Sequence, residues 1–449
     1  MSESGGGETK LTPKYELSLD GSPVDIAVQE AVILIRAKQH LDLADMLEVR
    51  LANPDLSWIE ADTFTEGKKL AVKLGYEETS SEHVAEGEIV RREVEFPIRG
   101  PAVLTLVALG KKFKLKKGAH TKAFVEKKDS EIVSTLAQEM GLQADVDDST
   151  IVQPYVMQVA KDNLAFIRER AARLGFEFRI DRANAKLVFK RPQTSQEPAA
   201  SLEWGGVGAS GLLEFRARIS TDAQVSKVTV RGWDPATKQS VSASATASDV
   251  AFGFGGQKTG AAVAEDTFGQ REVLYVDRPV SVADDATAIA RSIINAASAR
   301  YCEAEGCCQG DPAIYPGALL EVAGTGDRFD GKYFVNTTLH FFEPRTGYST
   351  HFGLNRSTEG APAAPAEPLA AAAPAQERTL PEQPTWVEIQ VKSETGESLA
   401  GVSYTVTLPD GSTQQGTLDE SQTIRVENLR DPGEAKIEFQ PPEGLEPVE

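Results

Sequence analysis

Apolar and polar residues alternate at a period of two over much of the first 110 residues. The pattern is clear at 15–19, and it recurs in the runs 47–51 and 70–74. A period of two is typical of strands with one buried face. Turn residues separate these runs, and Asp20-Gly21 is typical of a tight hairpin. The sequence therefore predicts a barrel-like body that is rich in strands.

The period changes within residues 155–190, where a strand, a helix and a second strand follow one another. Asp162 is suited to cap the first turn of the helix, and Gly175 is suited to end it in a left-handed conformation. The helix is predicted to be amphipathic, with an apolar face formed by Leu164, Ile167, Ala171 and Leu174 and a polar face formed by Arg168, Glu169, Arg170 and Arg173.

Two further helices follow from the same reasoning. Asp129-Ser130 is predicted to cap a helix that ends at Gly141. Asp284-Asp285 is predicted to open a helix that continues to Ala297. Between these helices, residues 241–264 are rich in Ser, Ala and Gly, and we interpret them as an extended or mobile insertion.

The last quarter of the chain has a different composition. Residues 361–376 are almost entirely Pro and Ala, which is typical of a semi-extended linker. Beyond it, four short alternating runs and the turn Pro409-Asp410-Gly411 predict a small immunoglobulin-like or transthyretin-like β-sandwich.

The whole chain is therefore predicted to be α+β and mainly β, with two barrel-like domains, short helices and a C-terminal sandwich. The predicted segments are a disordered N-terminus at 1–10, a first barrel with an α+β insertion at 11–195, a second barrel region at 196–357, a linker at 358–384 and the sandwich at 385–449.

Charge narrows the possible functions. The 449 residues carry 47 basic and 67 acidic side chains, a formal net charge of −20. This excess argues against a protein that coats nucleic acid or anionic membrane. The N-terminus has no signal-peptide pattern, and no run approaches the ~20 apolar residues of a membrane span. We therefore expect synthesis in the cytoplasm, with neither a membrane span nor a nucleic-acid partner.

One segment reverses the overall charge. We interpret it as a solvated loop or as a contact with an acidic partner subunit, because it offers few aromatic residues for stacking on bases. Its basic residues are Lys111, Lys112, Lys114, Lys116, Lys117, Lys122, Lys127 and Lys128.

Three cysteines lie close together at Cys302, Cys307 and Cys308. An odd number in a cytoplasmic protein favours reduced, structural thiols. The alternative is a zinc site to which His340 or His351 would contribute, although the cysteine spacing is unusual for zinc. We predict no cofactor. Catalytic motifs were also sought, and neither a nucleophile elbow, a zinc-protease helix nor a phosphate loop is present in the sequence, so we predict a protein that is not an enzyme.

Five motifs occur in an order that resembles the phage late control protein D family, which includes the hub part of VgrG proteins from type VI secretion. The resemblance covers about residues 11–356. The motifs are Phe-Ile-Arg-Glu-Arg-Ala-Ala-Arg-Leu-Gly at 166–175, Val-Arg-Gly-Trp-Asp-Pro at 230–235, Pro-Gly at 316–317, Phe-Asp-Gly-Lys-Tyr at 329–333 and Gly-Tyr-Ser-Thr-His-Phe-Gly-Leu-Asn-Arg at 347–356.

The resemblance implies a baseplate hub of a phage tail or contractile injection system. Family hubs are trimers whose subunits each supply two similar barrels, and the ring adapts a six-fold tube to a three-fold spike. The implied partners are two further copies of the chain, the inner-tube protein ring and a spike trimer. Residues 357–449 do not match the spike-forming modules of VgrG proteins, so the spike is expected to be a separate polypeptide.

The C-terminal sandwich resembles extensions that are thought to dock cargo, and an effector is therefore a further expected partner. The kind of particle stays open between phage, bacteriocin, extracellular injection system and type VI apparatus. The alternative function is a secreted or surface binding protein whose sandwich recognises a glycan or a protein.

Overall fold

The computed structural model describes residues 11–60, 62–181, 186–193, 196–206, 211–251, 254, 256, 258–276, 279–360, 387–391, 400–407, 412–419, 421, 423–426 and 436–439. The chain divides into two compact units, Met1–Ala364 and Pro365–Glu449. The predicted N-terminal disorder, the Pro/Ala linker and the turn at 409–411 lie outside the described residues.

Six strands in the first part of the chain surround one apolar core, which we call barrel A. Its strands are β1 (Pro13–Leu19), β3 (Val32–His40), β4 (Met46–Ala52), β5 (Lys69–Tyr76), β6 (Glu82–Glu95) and β7 (Val103–Leu109). The short elements that connect them are β2 (Ser22–Pro23), α1 (Ile26–Glu30), α2 (Ser57–Glu60) and a 3-10 turn at Asp62–Phe64. The predicted hairpin at Asp20-Gly21 is confirmed, and both residues have positive φ.

A second barrel, barrel B, closes completely. Its strands are β13 (Ala200–Trp204), β14 (Gly211–Ile219), β18 (Cys302–Gln309), β19 (Leu319–Ala323), β20 (Gly331–Glu343) and β21 (Gly347–Arg356). They pair in the order β19–β13–β14–β18–β21–β20, and β20 pairs back to β19. Closure leaves no open edge along this ring.

The two barrels share one continuous strand. The first part of β20 pairs with β19, and its second part, Thr337–Phe342, pairs antiparallel with β3 at Ile35–His40. Phe342 therefore lies in the core of barrel A, where its ring centroid is 4.7 Å from that of Tyr15 on β1. This contact brings the two ends of the barrel A sheet together.

An α+β layer is inserted between the barrels in sequence. Its elements are α3 (Lys112–Leu115), β8 (His120–Lys128), α4 (Asp129–Glu139), β9 (Gln143–Val146), β10 (Val152–Lys161), α5 (Asn163–Leu174), β11 (Glu177–Ile180) and β12 (Lys186–Lys190). The strand-helix-strand prediction is confirmed: Asp162 accepts a hydrogen bond from the Ala165 amide at 2.7 Å, and Gly175 ends α5 with φ of 69°. The prediction of a loop between 109 and 129 was wrong, because β8 pairs with β10 there.

A second layer is inserted into barrel B. It consists of β15 (Lys227–Asp234), β16 (Gln239–Thr246), a 3-10 turn (Ala247–Asp249), α6 (Gly260–Phe268), β17 (Glu272–Tyr275) and α7 (Ala283–Ser298). Of the two interpretations of 241–264, the extended one is confirmed for residues 241–246, which belong to β16 and pair with β15, whereas residues 260–264 are helical. Small side chains on β16, such as Ala243 and Ala245, pack in the core that also contains the apolar face of α7. Their small size lets a helix approach the sheet closely.

The helices α5 and α7 hold the two layers together through charge. Arg173 forms an ion pair with Asp285 in which Nε lies 3.2 Å from Oδ1, and its Nη2 also donates to the Pro279 carbonyl at 3.0 Å. Arg170 pairs with Asp129 at 2.5 Å. All four side chains are buried. The predicted polar face of α5 is therefore partly buried, because Arg170 and Arg173 each meet a carboxylate from another helix.

The predicted cap of α4 is wrong, and the predicted start of α7 is confirmed. Helix α4 begins after Lys128, whose backbone amide donates to Glu131 Oε2 at 2.8 Å, so Asp129 is not the cap. Helix α7 begins after Val282, so Asp284 and Asp285 lie in its first turn, as predicted. In both helices one aspartate is buried in the first turn, where it binds an arginine and faces the positive end of the helix dipole.

The C-terminal unit is built from two small sheets. Its strands are β22 (Val387–Gln390), β23 (Ser403–Thr407), β24 (Thr413–Thr417), β25 (Thr423–Val426) and β26 (Lys436–Phe439). One sheet pairs β22 with β25, and the other has the order β24–β23–β26. Val406, Leu418 and Ile424 form its core, as expected for the predicted sandwich.

Candidate interaction surfaces

The lysine segment forms part of a defined structure. Residues 112–115 form α3, and the rest leads into β8, which pairs antiparallel with β10 to make a two-stranded ribbon. Besides the buried Lys112, three lysines that are partly exposed pair with acidic residues of the same chain: Lys114 with Glu88, Lys122 with Glu139 at 2.6 Å, and Lys128 with Asp148 at 2.9 Å. The segment is therefore less positive than its sequence indicates.

The remaining lysines are of two kinds, those at or near the surface and Lys112, which is buried. Lys111 precedes α3, while Lys116, Lys117 and Lys127 have exposed side chains. Lys117 lies over the Phe113 ring at 4.9 Å. These side chains keep the predicted role of a partner contact open.

Lys112 is a different case because it is 2% exposed. Its ammonium donates to the carbonyl oxygens of His40 and Leu41 at 2.6 and 3.0 Å, and it lies 3.7 Å from Asp45. Burial lowers the pKa of Lys112, and the Asp45 carboxylate opposes that shift. Lys112 thus ties the inserted layer to barrel A and does not reach the surface.

The outer face of the ribbon is apolar. Tyr155 and Met157 on β10 lie opposite Val125 and Ala123 on β8, and Val159 continues the row. Tyr155 is 58% exposed and Met157 is 46% exposed, although each is a side chain that usually contributes to a core. A contiguous exposed row of this kind is typical of an interaction surface.

A groove of about 870 Å³ runs beside this face. One wall is β10 at residues 153–157, and the other consists of β15 at residues 231–233 with the segment around Val276 and Val280. Trp233 is 57% exposed and Val276 is 68% exposed in the opposite wall. The groove is therefore lined by apolar side chains on both sides.

The three cysteines are free and buried in barrel B. Burial raises the pKa of each thiol, which disfavours the reactive thiolate. Cys307 Sγ lies 3.7 Å from His351 Nε2, whereas His340 is buried, with Nδ1 2.9 Å from the Tyr348 hydroxyl. Within the described residues, no group of three His, Cys, Asp or Glu side chains could hold a metal ion.

Sequence reasoning identified the lysines but missed the groove. Its walls come from residues 153–157 and 231–281, which local patterns assigned to ordinary strands. The one available indication was the presence of large apolar residues on strands whose other face was already apolar, as at Tyr155 and Met157 beside Val156.

No helix among the described residues is both long enough and apolar enough to span a membrane. The strands and their pairing make the molecule a mainly β protein built around two joined barrels.

The fold is shared with phage tail proteins. The chain is similar to the 43 kDa tail protein of prophage MuSo2 from Shewanella oneidensis, with a TM-score of 0.58 and 15% identity over 77% of this chain and 99% of that one. It is also similar to a tail protein from Neisseria meningitidis MC58, with a TM-score of 0.57 and 13% identity over 77% and 96% of the two chains.

A third similar structure is the Escherichia coli c3393 protein, a component of the type VI secretion system, with a TM-score of 0.49 and 14% identity over 78% of this chain and 79% of that one. The chain belongs to the family described as the Alg8 N-terminal domain, whose model matches residues 14–343. No curated protein matches the chain.

Proposed function

We propose that this protein is the structural hub of a tail or contractile injection particle, where it adapts a six-fold tube to a three-fold spike. The observation that carries the proposal is the pair of barrels that share strand β20. A strand common to both cores holds the barrels at a fixed spacing, which a ring of alternating barrels requires. Three chains would present six barrels to the tube and three equivalent positions to a separate spike trimer.

A non-catalytic role agrees with the chemistry of the described residues. The thiols are buried with raised pKa values, and each buried arginine of α5 is paired with an aspartate. The similarity in fold to two tail proteins supports a place inside a tail particle. We assign the protein no enzymatic activity.

The lysine segment is proposed to contact an acidic partner subunit. Lys116, Lys117 and Lys127 carry this role because their side chains are exposed. A triple substitution of these lysines by glutamate should weaken co-assembly with the tube protein and leave the mass of the free protein unchanged. The same substitutions at Lys14, Lys69 and Lys73 on barrel A provide a control of equal charge.

The C-terminal unit is proposed to dock cargo. It is a compact unit separate from the barrels in the chain, so it can be removed without opening either barrel. A chain that ends at Ala364 should still assemble with tube and spike proteins and should lose the effector that co-purifies with the full chain. Retention of that effector would contradict this role.

The main test is the absolute mass of the full chain by light scattering at several concentrations, alone and with the co-expressed spike protein. We expect three times the 48.3 kDa mass of one chain, independent of concentration. Electron microscopy of the complex should then place one trimer between tube and spike. A monomer that no spike protein converts to a trimer would favour the alternative binding-protein function.

A further inference from the structure

The groove beside the ribbon borders the open edge of strand β10. Residues 153–157 all line the groove, although their side chains point alternately to the two faces of the strand. A cavity that meets consecutive residues of a strand meets its edge. Within the described residues β10 pairs only with β8, and no other backbone hydrogen bond involves residues 153–157. Pro154, which lacks an amide hydrogen, is a residue that strands tolerate at an edge.

The walls of the groove offer apolar contacts at strand spacing. Tyr155 and Met157 are two residues apart on β10, and Trp233 and Val276 face the cavity from the other side. All four are about half exposed or more. Covering these four side chains would remove a large apolar area from water, which favours binding.

The charged groups of the groove favour an anion. Among the described residues, three arginines and one glutamate line it, namely Arg170, Arg173, Arg231 and Glu169. Arg173 is paired with Asp285, Arg170 with Asp129 and Glu169 with Lys161. Arg231 is exposed beside the groove, while the Nη2 atom of Arg170 is buried and has no hydrogen-bond acceptor. A guanidinium with an unused donor is a strong partner for a carboxylate.

We propose that this groove binds an extended acidic segment of another protein, which adds to β10 as a third strand of the ribbon. Backbone hydrogen bonds to the edge of β10 would supply the general affinity, as in other cases of strand addition. Apolar side chains of the segment would cover Tyr155, Met157 and Trp233, and its carboxylates would face Arg231 and Arg170. This inference does not depend on the hub function.

The experiment uses the full-length chain and two synthetic capped peptides. One alternates glutamate with valine, and the other has lysine in place of every glutamate. Binding is followed by tryptophan fluorescence, to which Trp233 contributes, and by hydrogen exchange of the amides at 153–157. We expect saturable binding of the acidic peptide and slower exchange of these amides, and no binding of the basic peptide.

Two charge-reversal variants test whether the acidic peptide binds in the groove or elsewhere on the surface. Arg231→Glu should weaken binding of the acidic peptide about tenfold, because one charge-assisted contact is lost. Arg99→Glu reverses an exposed arginine in the turn between β6 and β7, and it should leave binding unchanged. Equal binding of the two peptides, equal effects of the two substitutions, or unchanged exchange at 153–157 with bound peptide would each overturn the proposal.

Discussion

Barrel A and the junction of the two inserted layers are both buried, but different interactions hold them. The barrel A core is built from apolar side chains of its strands, such as Val49, Leu74 and Leu106, all 0% exposed. The junction between α5 and α7 contains the Arg173–Asp285 pair, and Ser292 donates to the Ala172 carbonyl beside it. Apolar burial tolerates variation in side-chain direction, whereas a buried ion pair requires both partners in place.

This difference has a consequence for assembly. An apolar core does not depend on one matched pair of side chains, so it suits a constant scaffold. A junction that depends on matched charges fixes one arrangement of the two layers, and the groove lies directly above it, since Arg170 and Arg173 both line the groove. The geometry of the candidate binding site therefore depends on those ion pairs.

The largest expected effect comes from breaking one ion pair. Arg173→Met should lower the free energy of unfolding by about 3–5 kcal/mol, because Asp285 is left buried and uncompensated. The double variant Arg173→Met with Asp285→Leu should recover most of that loss. Chemical denaturation measures both. Arg218→Met provides the matched control, since the Arg218–Glu303 pair is exposed. If Arg218→Met lowers the free energy of unfolding as much as Arg173→Met does, burial does not explain the effect.

Substitutions in the core of barrel A should lower stability, and there is no charged partner whose substitution would restore it. Leu106→Ala removes a side chain that is 0% exposed and should cost about 2–5 kcal/mol through lost burial and the cavity that remains. Leu213→Ala removes a leucine that is 62% exposed, and its effect should stay within about 0.5 kcal/mol. Equal losses in thermal or chemical unfolding would contradict the placement of the core.

The lysines offer a comparison within one segment. Lys112→Met should cost about 1–3 kcal/mol, because the His40 and Leu41 carbonyls and the Asp45 carboxylate lose their shared donor. Lys127→Met should change the free energy of unfolding by less than about 0.5 kcal/mol. Differential scanning calorimetry of both variants tests this, and a stable Lys112→Met variant would show that the ammonium is not a structural link.

The smallest predicted effect concerns the first turn of α5. Asp162→Ala removes the carboxylate that accepts from the Ala165 amide, and it should cost about 1 kcal/mol. Asp25 occupies the same position at α1 but makes no side-chain cap. Asp25→Ala should therefore have little effect, and an equal loss in urea unfolding would mean that the cap of α5 adds nothing.

Much of the fold could be predicted because it depends on residues that are close together in the sequence. The hairpin at Asp20-Gly21, the cap at Asp162 and the end of α5 at Gly175 each depend on a few neighbouring residues, and each is found in the structure. Predictions failed where a distant partner decides the outcome. Asp129 and Asp285 have the sequence pattern of caps, yet each binds an arginine from another helix.

The two candidate interaction surfaces also differ in whether the sequence reveals them. The lysine segment is visible in the sequence because charge clusters along the chain. The groove is not visible, since β10 and β15 are separated by more than 60 residues and only packing brings them together. Burial of Lys112 was equally hidden, because its hydrogen-bond acceptors are the last residue of β3 and the residue that follows it, about 70 residues away in the sequence.

The sequence by itself determined the class of the protein, the positions of most strands and helices, and the order of motifs that resembles tail hubs. Hydrophobic period, caps and turns act over a few residues, so they can be read without knowing the fold. Only the tertiary structure decided that β20 joins two barrels, that arginines of α5 are buried, and that a strand edge borders an apolar, arginine-lined groove. Those features depend on contacts between distant residues, and no local pattern specifies which partner a side chain will meet.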